Sequence, residues 1–141
     1  VAALRQGDPA AARAHFGAIP AGAAPYKDAR LNLAELAFQG RHVDDARMEF
    51  EKALALDPRS LKAAIGIARS WQAAERYLEA LRAWEGVIAL DPESAIHRVQ
   101  KAVCLWRLTR LEEARAECRQ ALALNPNDRR ARELMVELEK R

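Results

Sequence analysis

The chain has 141 residues, half of them apolar and 30% charged, with a formal net charge of +3. That balance fits one folded domain and excludes a disordered polyelectrolyte. Acidic and basic residues are mixed along the chain, which gives a solvated surface rather than a polyanion-binding stripe, and no apolar run nears the roughly 20 residues that span a bilayer. Alanine and leucine dominate and aromatics are only 6%, which suits closely packed helices better than sheets. Two cysteines are too few for a disulfide framework. No secretory signal is visible, and cytoplasm is favoured over periplasm.

In chain order, 1–6 reads as a helix end, and Asp8-Pro9 as a cap and first helical residue. Ala11, Ala12, His15, Phe16 and Ile19 then form one apolar stripe, followed by a Gly, Ala and Pro linker at 20–25. After it one phrase recurs: Ala53 to Pro58, Val87 to Pro92, Ala121 to Pro126. Its prolines lie 34 residues apart. Ala46, Ala80 and Ala114 keep the same period, as do Phe50, Trp84 and Cys118, and the capping residues Ser60, Ser94 and Asp128. A fixed period of this size marks stacked repeats, not a single globular core.

The expected division is a partial repeat with linker at 1–26, whole repeats at 27–60, 61–94 and 95–128, and a capping helix at 129–141. Each whole repeat reads as two helices, near 26–39 and 43–56, 60–73 and 77–90, 94–107 and 111–124. Gly40-Arg41 marks the first turn. Ala131, Leu134, Met135 and Leu138 give the last helix one apolar stripe on a charged segment, as an end cap requires. Ala46, Ala80 and Ala114 fall where the two helices of a repeat cross, so a larger side chain there would force them apart.

Period and residues together resemble the tetratricopeptide repeat (TPR) family. Ile67, Ala68, Trp71, Ala80, Trp84, Val87 and Pro92 carry the match in the second repeat, and Leu33, Ala34, Ala46, Phe50, Ala53 and Pro58 in the first. The third matches through Ala114, Cys118, Ala121 and Pro126, but Arg98 and Lys101 stand at usually apolar positions. Gly40 falls one residue early, which predicts a rearranged turn. The resemblance implies an all-α fold, a right-handed superhelix (α-solenoid) of antiparallel helical hairpins.

It also implies a concave groove lined by the first helix of each repeat. The matching positions are Asp28, Leu31, Glu35 and Phe38, then Lys62, Ile65, Arg69 and Gln72, then Ile96, Val99, Val103 and Trp106. The last four form one apolar stripe, beside a second stripe of Ala102, Leu105 and Leu108 that suits internal packing. The first stripe is either covered by the cap helix or open to a partner. With Arg69 and Arg107 added, the partner expected is a protein or peptide of apolar and acidic character. A chaperone-tail adaptor of this family needs donor charge at five positions, here Leu31, Glu35, Gly66, Ile96 and Gln100; that reading is rejected.

No phosphate-cradling loop is present. His15, His42 and His97 are scattered, and Cys104 with Cys118 matches no zinc spacing. Asp44-Asp45 and Glu112-Glu113 fall in first helical turns, where they favour the positive end of the helix dipole. No catalytic, cofactor-binding or metal-ligating set is assigned, and no cofactor is expected. The expectation is a non-catalytic scaffold for assembly or targeting, for example in bacterial secretion, polysaccharide export or pilus machinery. The alternatives are a regulatory or substrate-docking domain of a larger enzyme, such as a glycosyltransferase or sulfotransferase, and an RNA-binding helical repeat. Nucleic acid and membrane insertion are disfavoured as contacts. Self-association through the N-terminal half repeat is a further expectation.

Overall fold

A computed structural model describes residues 26–140, with side chains from Leu31 onward. The expected half repeat and linker, and self-association through them, lie outside the described residues. Seven α-helices and no strand are found among the described residues: α1 Tyr26–Gln39, α2 Val43–Leu56, α3 Leu61–Ala73, α4 Tyr77–Leu90, α5 Ala95–Arg107, α6 Leu111–Leu124 and α7 Arg129–Glu139. The fold is all-α, built as the periodicity requires. The chain divides into two compact units between Ala74 and Glu75, so α1–α3 belong to the first and α4–α7 to the second.

The recurring phrase is a helix terminator. α2, α4 and α6 each stop two residues before a proline, because the residue before proline is pushed out of helical geometry. Asp57, Asp91 and Asn125 accordingly sit at φ −141°, −143° and −144°. Asp57 Oδ1 accepts from the Arg59 N–H at 3.2 Å, and Asn125 Oδ1 from the Asn127 N–H at 3.1 Å. The next helix then starts on a cap. Ser60 Oγ accepts from the Ala63 N–H at 3.2 Å and Asp128 Oδ1 from the Ala131 N–H at 2.9 Å, each bond worth about 1 kcal/mol. Ser94 holds the equivalent place without such a bond, and nothing in the structure explains the difference.

The turns inside the repeats share one device. Arg41, Glu75 and Thr109, 34 residues apart in sequence, have φ of 65°, 60° and 60°. The N–H groups of His42 and Arg110 close back onto the carbonyls of Ala37 and Leu105 at 2.8 and 2.9 Å, which is the Schellman way of ending a helix. The first turn is therefore not rearranged around Gly40. Arg41 takes the left-handed conformation itself, and the glycine sits one residue too early to relieve it. Thr109 is the costliest of the three, since its branched Cβ crowds the backbone at positive φ. Thr109→Gly is expected to stabilise the protein by up to about 1 kcal/mol, the relief exceeding the extra chain entropy glycine carries when unfolded. A thermal melt that falls would refute this.

In the first unit, α2 packs on α1 and α3. Leu31, Ala34, Ala37, Ala46, Phe50, Ala53 and Ala63 form its buried cluster. In the second, α5 packs on α4 and α6, and α7 covers α6 and touches α5. Ala131, Leu134 and Leu138 are buried while the rest of α7 is largely exposed. Arg115 on α6 donates to the Leu138 carbonyl at 2.8 Å and so holds the far end of α7. Glu117 on α6 explains the two basic residues at usually apolar places: Arg98 and Lys101 pair with it at 3.2 and 2.9 Å.

Candidate functional site

On the first unit, two depressions meet at one ion pair. Arg69 of α3 approaches Glu35 of α1 at 3.8 Å, and its guanidinium lies 4.6 Å from the centre of the Phe38 ring. A cavity of about 440 Å³ on one side is lined by Glu35, Leu61, Lys62, Ile65, Gly66 and Arg69. Another of about 650 Å³ is lined by Glu35, Phe38, Gln39, Arg41, Val43, Arg69 and Ala73. Glu35 and Arg69 are each about one third to one half exposed, and their separation is long for a hydrogen-bonded pair. The pair is open to exchange with outside charge at little cost.

Of the expected first-unit residues, Glu35, Phe38, Lys62, Ile65 and Arg69 line these cavities. Gln72 is half-buried. Leu31 is buried in the cluster beneath and offers a partner no surface. Arg41, Val43 and Leu61 were not singled out as site residues in the sequence. They reach the cavities because helix ends and turns bring them there, and only the left-handed turn places Arg41 at the rim.

On the second unit, the expected stripe is rotated. Ile96 is 61% exposed, but Val99 is only 2% exposed, packed with Ala95, Ala121 and Ala131. At 100° per residue, Val99 and Trp106 lie about 60–80° round the helix from Ile96, whereas Gln100, Val103 and Arg107 stay within about 40° of it. The outward line on α5 is thus Ile96, Gln100, Val103 and Arg107, with Val103 and Trp106 half-buried and Arg107 exposed. The Arg107 guanidinium lies 5.5 Å from the Trp106 ring and 5.9 Å from that of Tyr77.

The other reactive side chains have structural surroundings. His97 is buried, stacked on Trp84 at 6.0 Å with its Nε2 3.2 Å from Asp91. Burial pushes the Cys104 thiol up to about 11, and burial together with the Glu117 charge does the same for Cys118. Neither thiol reacts until the chain unfolds: Ellman's reagent at pH 8 should find no fast thiol in buffer and both in denaturant. Because the folded thiols titrate higher than unfolded ones, their stabilising contribution is full below pH 9 and is lost as pH rises towards 11. Among the described residues no group of three or more His, Cys, Asp and Glu could hold a metal, and no helix is long and apolar enough to cross a membrane.

A family model described as tetratricopeptide repeat matches residues 1–61 and 65–129. No curated protein matches the chain in sequence. Among solved structures, a MamA RS-1 ArsTM double mutant is 18% identical with a TM-score of 0.82, over 98% of this chain and 78% of that one. The Yersinia enterocolitica type III secretion chaperone SycD, in complex with a peptide of the translocator YopD, is 21% identical at TM-score 0.73, over 84% and 90%. The first TPR of Spaghetti (RPAP3), bound to an HSP90 peptide, is 18% identical at 0.75, over 81% and 90%. At these identities the likeness is one of fold.

Proposed function

The chain belongs to the tetratricopeptide repeat family, and from that premise we propose that it is a non-catalytic module that binds a partner peptide or helix and serves to assemble or target a larger complex. The observation that carries this reading is the pair of cavities on α1 and α3 meeting at Glu35 and Arg69. They combine apolar walls with a weakly held ion pair, as a peptide site needs. Each helix is fixed by its neighbours before any partner arrives, so binding loses little ordering entropy.

Fold neighbours that hold HSP90 and HSP70 peptides support peptide binding as a class, but their ligand does not transfer. Of the five positions that would clamp a chaperone's terminal carboxylate, Leu31 is buried and Glu35 is acidic. For a partner that uses the first-unit cavities, Arg69→Glu is expected to weaken binding at least tenfold while the helical circular dichroism stays unchanged. Undiminished binding by this folded variant counts against the surface.

A further inference from the structure

We infer that the outward face of α4 is a contact between two copies of this chain. The two α4 helices lie antiparallel about a two-fold axis, with Arg82 of each copy paired to Glu85 of the other and Leu78 of each packed on Ala89 of the other. The inference goes beyond the peptide-binding reading and uses none of its residues.

Leu78, Arg82, Glu85 and Ala89 are all exposed. Their spacing of four, three and four keeps them within about 60° of one line along α4, and it is the seam spacing of paired helices. The line is its own complement when reversed. Turned end for end about a point midway between residues 83 and 84, it sets Leu78 on Ala89 and Arg82 on Glu85. A two-fold contact demands this self-complementarity of a surface. The same repeat positions of α2 and α6 lack it. Asp44, Met48, Glu51 and Ala55 would set methionine against glutamate, and Glu112, Ala116, Arg119 and Ala123 would set alanine against arginine.

Two features of α4 have no use within one copy. Arg76 with Glu79, and Arg110 with Glu113, close ion pairs at 2.8 Å over three residues. Arg82 and Glu85 have the same spacing and order, yet among the described residues neither closes an ion pair. Arg82 reaches Glu79 only through its field, and Glu79 is already bonded to Arg76. Across the two-fold axis the four charges alternate in sign, so each arginine has a carboxylate opposite. Leu78 is 44% exposed in the first turn of α4. Asp44 and Glu112 stand there in α2 and α6, where a carboxylate suits the helix dipole. A leucine in that place stabilises only when covered. The other end of the line has room for it: Ala89 is small, and a Cβ on Gly86, one turn earlier, would meet nothing within 4 Å.

One pair of helices this short buries less than the roughly 1,600 Å² of a stable complex, so the dimer has a Kd on the order of 0.1 mM. Sedimentation equilibrium up to about 1 mM chain should show monomer passing to dimer. Arg82→Glu and Glu85→Arg should each weaken association at least tenfold with the helical circular dichroism unchanged. An equal mixture of these two variants should associate within about threefold of the parent chain, because each supplies the charge the other has lost. The chain carrying both exchanges should pair with itself equally well, and Leu78→Ser should weaken association at least fivefold. A chain still monomeric at about 1 mM, growth beyond a dimer, a dimer indifferent to the single reversals, or a mixture no tighter than its parts would each overturn the inference. Every one of those results would leave the peptide-binding module standing.

Discussion

Gly66→Ala should destabilise the protein by about 2 kcal/mol, although alanine is the better helix former by about 1 kcal/mol. A Cβ on Gly66 would lie 2.5 Å from three ring atoms of Phe50. That ring is 1% exposed, enclosed by α2 and its neighbours, and has no solvent to swing into. Gly86 in α4 supplies the opposite control. It is exposed and a Cβ there meets nothing within 4 Å, so Gly86→Ala should stabilise by up to about 1 kcal/mol. In melts the two variants should move in opposite directions, the first falling by roughly 5–10 °C. Trimming the ring separates collision from propensity: Phe50→Leu costs stability alone, but in the double variant the penalty of Gly66→Ala should shrink by more than about 1 kcal/mol. Additive losses would mean that the ring is not the obstacle.

Ala114→Leu is the second large effect, with a loss of about 3 kcal/mol or more. Ala114 is fully buried on α6, which packs along α5. Ala80 and Ala46, its counterparts one and two periods earlier, are fully buried as well. A leucine adds three carbon atoms where the interior already excludes solvent, so the helices must part or the side chain must strain. Ala116→Leu, two residues along the same helix and exposed, changes the same composition and should leave the melt within about 0.5 kcal/mol. Equal melts for the two variants would show that close approach does not set this position.

Much of the candidate site could be read before folding, because repeat positions map to helix faces. Glu35, Phe38, Ile65 and Arg69 line real cavities. The α5 stripe was legible as apolar but not in its rotation. Spacing alone does not distinguish Val99 from Val103, and the packing of Val99 with Ala121 and Ala131 settles which of them faces water.

The sequence alone determined the helices, their ends and their repetition. Proline, the residue before it and the cap after it act within a few bonds of themselves, so the same phrase gives the same local geometry each time. Only the tertiary structure decided that Glu117 draws in Arg98 and Lys101, that Gly66 makes room for Phe50, and that Arg107 lies near the ring of Tyr77. Each of these depends on which side chain of one helix meets which of another, and that contact lies many residues away along the chain.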